Sequence, residues 1–337
     1  MKLILTSFKR NLLIFLFLIS SISFSSISFS KHNAVVVTRH HLATEVGSKV
    51  LMDGGNAFDA AISVAFALAV VNPSAGNIGG GGFALLYDIN KKTIESIDYR
   101  ERAPIEAKED MFLDENGNVI KGLSTSSFLA SGIPGTVDGM FKIHEKYGSF
   151  PMNKLISPAI ELAEKGFVLS NFQAEYFNKN RGKFSKNAET KKIFVKENLW
   201  KRGDLFKQED LAKTLKRISA FGRDEFYSGE TARKIVNYFQ KNGGIFTEND
   251  FLNYQSTFKP SICSTFTDYD VCSMALPSSG GIVLSQSLNI LENFDLTSFD
   301  HNSLEYNRIL TEAMRFSFAD RSEFLGDEDF NNFDINN

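Results

Sequence analysis

The run Asn72–Pro104, NPSAGNIGGGGFALLYDINKKTIESIDYRERAP, constrains this chain more than any other stretch. Its first part holds five glycines, Gly76, Gly79, Gly80, Gly81 and Gly82, between a helix expected to end at Asn72-Pro73 and two alternating strands that lead to Arg100. Four glycines in a row carry no Cβ atoms, so their backbone can take positive φ or lie against another chain segment or a ligand. A run that loses so much entropy on folding points to a use for it. Neither familiar phosphate cradle fits. A P-loop needs Gly-Lys-Ser/Thr, and a dinucleotide turn needs G-x-G-x-x-G between a strand and a helix, whereas here a helix precedes and a strand follows. No nucleotide or other cofactor is expected.

Four motifs in order carry a resemblance: Gly54-Gly55-Asn56-Ala57-Phe58-Asp59-Ala60-Ala61, the Gly76–Phe83 loop, Asp98-Tyr99-Arg100-Glu101-Arg102-Ala103-Pro104, and Pro277-Ser278-Ser279-Gly280-Gly281. Together they resemble the large-subunit half of the γ-glutamyltranspeptidases, over roughly residues 33–330. The resemblance implies an α+β chain that forms part of an N-terminal-nucleophile hydrolase αββα sandwich with a helical outer region. It implies transfer or hydrolysis of the γ-glutamyl group of glutathione and related amides, by a threonine that self-cleavage exposes at the start of a small subunit. No Thr-Thr-His-like start follows Ser322-Glu323-Phe324-Leu325-Gly326-Asp327 before Asn337. The expectation is therefore a large-subunit domain over 31–337, incomplete at its C-terminus, with no catalytic residue of its own and a small subunit as the implied partner. An exported, catalytically inactive polypeptide is the alternative.

Composition adds limits. The 337 residues are 43% hydrophobic and 23% charged, an ordinary globular balance with material for a sizeable core. Residues 1–30 read as a secretory signal peptide: basic Lys2, Lys9 and Arg10, an apolar run Leu12–Ile19, then serines. An uncleaved anchor is the other reading, although the run is shorter than the about 20 residues that span a bilayer. Either points to a periplasmic or secreted body. Without that segment the chain carries 34 basic against 40 acidic residues, a net of −6 that suggests no nucleic-acid partner.

Periodicity and stop signals supply the elements. A short buried strand is expected over Ala34–Thr38, a helix over Leu42–Met52 halted by Gly54-Gly55, and a helix over Ala57–Val71 capped by Asn56 with Asp59. The last is apolar nearly all round, so it is expected to be a central helix against a sheet. Leu85, Tyr87 and Ile89, then Ile94, Ser96 and Asp98, predict a hairpin turning near Asn90-Lys91. Helices are predicted over 136–147, 153–165, 209–220, 230–241 and 248–254, and the Lys-rich stretch 178–196 reads as a solvated excursion. Strands over 257–264 and 269–274 surround a tight turn, helices follow over 282–293 and 303–324, and the end from Asp327 reads as frayed.

Arg100 is the candidate substrate-binding residue. A guanidinium grips a carboxylate through two parallel hydrogen bonds and keeps its charge at any working pH. On its residues alone it reads equally as an arginine tying its loop through Glu101 or Asp98; the resemblance implies that it holds the α-carboxylate of the γ-glutamyl group. Arg102 departs from the family pattern, where the position is commonly uncharged, and leaves open an exchange of roles between the two arginines. Ser278-Ser279 lacks the G-x-S-x-G context of a nucleophile and reads as a turn near the cleft. His32, His40, His41, His144 and His301 show neither H-x-x-x-H nor H-E-x-x-H spacing, so no metal is expected, and His40-His41 reads as a helix start.

The only cysteines are Cys263 and Cys272. If the strands turn through Thr267-Asp268, the two face each other on a non-hydrogen-bonded pair, about 4.5 Å between Cα atoms, within reach of a disulfide. A longer loop would turn the thiols to opposite faces, and two buried reduced cysteines are an equal alternative.

Overall fold

Helix α1 (His41–Met52) starts where the ring of His40 accepts the Leu42 N–H, and stops before Gly54, whose φ of 96° ends it. The structure, a computed structural model, describes residues 34–330 apart from Gly76; the signal-peptide reading of residues 1–30, His32 and the last seven residues lie outside the described residues. Helix α2 (Ala57–Val71) opens with a capping box in which Asn56 and Asp59 satisfy each other's N–H groups. It is buried over Ile62, Phe66, Ala67, Val70 and Val71. It packs against α1 and two of the helices that follow, and shares one apolar core with Leu86 and Ile97 of the hairpin that comes next in the chain. A helix apolar on almost every side can face other helices and strands at once.

Strands β1 (Phe83–Asp88) and β2 (Thr93–Asp98) form the expected hairpin, with the Asp88 carboxylate accepting the Asn90 and Lys91 N–H groups in its loop. Leu86 and Ile97 turn inward, while Leu85, Tyr87 and Ile94 on the other face are 45%, 51% and 39% exposed. Alternation identifies which residues share a face, but not which face the rest of the chain covers. Helices α3 (Thr136–Tyr147) and α4 (Met152–Lys165) follow, then α5 (Glu209–Phe221) and α6 (Glu230–Lys241), all close to their expected bounds and ended at Gly148, Gly166, Gly222 and Asn242. The helix expected over 248–254 is shorter, Glu248–Leu252.

Three expectations are corrected. Ala34–Thr38 is not a strand; no described strand pairs with it, and Val37 is 87% exposed. The stretch 178–196 is not an excursion: short helices at Arg181–Phe184 and Ala188–Phe194 bring Phe184 and Phe194 onto Phe177, Trp200 and Phe206, with ring centroids 5.0 to 6.4 Å apart. The lysines face water and the few aromatics decide the packing. The 257–264 strand divides at Ser261 into β3 (Thr257–Pro260), which adds to β2, and β4 (Ile262–Phe266), which pairs with β5 (Tyr269–Ser273).

The sheet therefore runs β1-β2-β3, with helices on its Leu86–Ile97 face. The β4–β5 hairpin packs on α7 (Gly280–Leu291), which lies along α8 (Leu304–Phe324) with Ser287 and Ser317 hydroxyls 2.9 Å apart. Among the described residues no helix is long and apolar enough to cross a membrane. The architecture is α+β with an outer helical region.

Candidate functional site

The glycines of the 79–82 run take no φ in the left-handed region, so their use is close approach. A methyl group at Gly81 would lie 2.4 Å from the Tyr99 carbonyl oxygen and 2.8 Å from the Glu101 nitrogen, far inside contact distance. Gly82 and Tyr99 exchange both main-chain hydrogen bonds, at 3.2 and 3.0 Å, and the Gly80 carbonyl accepts from the N–H groups of Gly135 and Thr136. The loop thus serves as a bed for the segment Tyr99–Arg102 and a stop for the first turn of α3. Gly135 completes the bed, since a methyl group there would lie 2.0 Å from both the Tyr99 oxygen and the Tyr254 hydroxyl.

On that bed the ladder is interrupted. Tyr99 pairs with Gly82 and Arg102 with Ile133, while Arg100 and Glu101 between them take no part in a ladder. The Arg100 N–H is taken by the Asp98 carboxylate at 2.9 Å and its carbonyl by the Tyr254 hydroxyl at 2.8 Å. Its guanidinium makes no hydrogen bond or ion pair among the described residues. Asp98 ties the loop through main chain, and the guanidinium is left to project into a cleft of about 470 Å³.

The cleft is lined by Arg100, Glu101 and Arg102, by Lys259 of β3, by Pro277 and Ser279 before α7, and by the end of α8 with Asp327 and Asp329. Its other cations are engaged. Lys259 lies 3.6 Å from Asp98 and 2.5 Å from Glu328, Arg102 lies 4.0 Å from Asp329, and Arg321 donates to the Ser279 hydroxyl at 2.8 Å. Asp327–Phe330, expected to fray, instead turns back along the cleft, because carboxylates there meet Lys259 and Arg102. The 277–281 motif forms the turn at the cleft; Gly281 is needed against the Met274 carbonyl, 2.3 Å from where its Cβ would stand.

Behind Arg100 lies a buried network that sequence reasoning missed. Asp138 of α3, 4% exposed, accepts from Arg223 on one oxygen and from the Ser256 N–H and hydroxyl, at 2.6 and 2.5 Å, on the other. Arg223 also donates to the Tyr254 carbonyl at 2.5 Å. The Tyr254 ring stacks on Tyr227 with centroids 5.5 Å apart, and Tyr227 donates to the Pro134 carbonyl at 2.8 Å. Burial, reinforced by the Asp138 and Asp98 charges, pushes the Tyr254 phenol far above its ordinary pKa, so it stays a donor at any working pH. The one signal available was Pro134-Gly135-Thr136 at a helix start, where Gly has no capping side chain.

Among the described residues no group of His, Cys, Asp and Glu is arranged to hold a metal ion. The sulfurs of Cys263 and Cys272 are bonded, with Cα atoms 4.1 Å apart, across the β4–β5 pair that turns through Thr267-Asp268.

The gamma-glutamyltranspeptidase family model matches residues 43–337. A glutathione hydrolase proenzyme of Escherichia coli K12 is 46% identical over 290 residues, which is 86% of this chain and 50% of that protein. This chain thus spans about half the length of the curated relatives it matches. Among solved structures, Helicobacter pylori gamma-glutamyltranspeptidase superposes with a TM-score of 0.88 at 44% identity, over 90% of this chain and 87% of that one. The Pseudomonas nitroreducens enzyme, solved with L-DON, gives 0.84 at 38% identity, over 89% and 88%.

Proposed function

Because this chain belongs to the gamma-glutamyltranspeptidase family, we propose that it supplies the carboxylate-holding side of a site that transfers the γ-glutamyl group of glutathione and related amides to water or an amine. The observation that carries this reading is the Arg100 guanidinium, the unpaired cation of the cleft among the described residues, on a main chain anchored at both its polar groups. Its fork matches the α-carboxylate of a γ-glutamyl donor in two parallel hydrogen bonds, which orient the γ-carbonyl for attack. The nucleophile is a threonine at the start of a separate small-subunit segment, its own amine acting as base, and backbone donors stabilise the oxyanion. The exposed Leu85, Tyr87 and Ile94 face supports such a segment adding a second sheet. Within this reading the chain works outside the cytoplasm, in the periplasm or secreted, as the pattern of residues 1–30 suggests.

The test is Arg100→Ala in the enzyme assembled with its nucleophile-bearing segment. Loss of a charge-assisted bidentate contact worth about 2 kcal/mol or more raises KM for a γ-glutamyl anilide some tens-fold. An unchanged KM overturns the reading.

A further inference from the structure

We propose that Tyr254 is the positioning residue for Arg100, holding through the Arg100 carbonyl the direction in which the guanidinium enters the cleft. The inference rests on the reading of Arg100 given above and adds the part that aims it.

The direction of a side chain at Cα follows from the two peptide planes that meet there. For Arg100 one plane is fixed by Asp98, which receives its N–H at 2.9 Å, and the other by Tyr254, which donates to its carbonyl at 2.8 Å. The first plane is also held through the Tyr99 carbonyl, which accepts the Gly82 N–H at 3.2 Å, but no ladder bond supports the 100–101 plane, whose only partner among the described residues is the Tyr254 phenol. Without the phenol, the 100–101 peptide has a free carbonyl and can rotate, carrying a long side chain with it. A shift of an ångström at the guanidinium is enough to spoil a bidentate grip on a carboxylate.

Tyr254 is built to act in this way. Its ring is 2% exposed and stacked on Tyr227, its own carbonyl is held by Arg223, and Ser256, two residues on, is held by Asp138. The hydroxyl reaches the Arg100 carbonyl through the gap left at Gly135, where a methyl group would stand 2.0 Å from it. It makes no other hydrogen bond among the described residues.

The experiment compares Tyr254→Phe, which keeps the ring and its stack, with Ser63→Ala, which removes a buried hydroxyl donating to the Leu155 carbonyl at 2.8 Å between α2 and α4. Both are measured in the assembled enzyme for Tm, kcat and KM with a γ-glutamyl anilide, alone and combined with Arg100→Ala. We expect Tyr254→Phe to raise KM about 5- to 20-fold with kcat within about twofold, and to add nothing in the Arg100→Ala background. Ser63→Ala lowers Tm and leaves KM unchanged. A raised KM in Arg100→Ala with an unchanged KM in Tyr254→Phe overturns the positioning role alone. So does a Tyr254→Phe effect that persists undiminished beside Arg100→Ala, or a KM that rises equally in Ser63→Ala. An unchanged KM in Arg100→Ala overturns instead the reading on which the proposal rests.

Discussion

The phenol of Tyr254 donates to the carbonyl of Arg100 at 2.8 Å across 154 residues of chain. That bond joins a buried residue just past the helix Glu248–Leu252 to the loop that follows β2. It makes the cleft's free guanidinium depend on a buried network that contains Asp138, Arg223 and Ser256.

Arg102 lines the same cleft, but its main chain bridges to Ile133 and its guanidinium lies 4.0 Å from Asp329, a partly exposed pair. Such pairs are worth about 0 to 1 kcal/mol, so Arg102→Ala is expected to raise KM for a γ-glutamyl donor no more than about threefold. A large KM effect in Arg102→Ala beside a small one in Arg100→Ala would exchange their roles.

Two glycines of one loop are expected to behave in opposite ways. At Gly81 an added methyl meets the Tyr99 and Glu101 main chain at 2.4 and 2.8 Å, whereas at Gly79 it meets only the Asn77 side-chain oxygen at 3.1 Å. Gly81→Ala should therefore cost about 2 kcal/mol or more of stability and disturb Arg100, while Gly79→Ala stays within about 0.5 kcal/mol. Chemical denaturation of both variants decides it; equal midpoints would show that the bed yields.

Asp59 joins α2 to the loop after α3. Burial raises its pKa, but hydrogen bonds from the Ser149 hydroxyl and from the N–H groups of Asn56, Ser149 and Phe150 outweigh burial and leave it below the ordinary carboxylate value. A carboxyl depressed in the folded state contributes stability that is present above its unfolded pKa and is lost as pH falls through the folded one. Asp59→Ala should cost about 2 to 4 kcal/mol at pH 7, and the difference from wild type should shrink on acidification below about pH 4. A gap between the two denaturation curves that stays constant down to pH 2 would refute this.

The Cys263–Cys272 bond closes a short loop, its ends at a sequence separation of 9. Its stabilisation is expected to be at most about 3 kcal/mol. Mass spectrometry of non-reduced, alkylated protein recovered from outside the cytoplasm should find no alkylated cysteine; two alkylated thiols would count against the pairing.

Local sequence determined a good deal here. Asn56 and Asp59 mark the start of α2, and glycines or an Asn at 148, 166, 222 and 242 mark the ends of four helices, because caps and stops act within one turn. The Thr267-Asp268 turn sets Cys263 opposite Cys272 because register propagates residue by residue from a hairpin's turn. The four motifs carried the family and, through it, attention to Arg100. Only the tertiary structure decided which face of β1 and β2 is covered, that Phe184 and Phe194 gather a lysine-rich stretch into the core, and that the glycine run is a bed for Tyr99–Arg102. Asp138 and Arg223 stand 85 residues apart, and Arg100 and Tyr254 farther still. Periodicity and capping report on neighbours within a turn or a ladder step; which distant polar groups meet is fixed only when whole layers pack and each buried donor must find an acceptor.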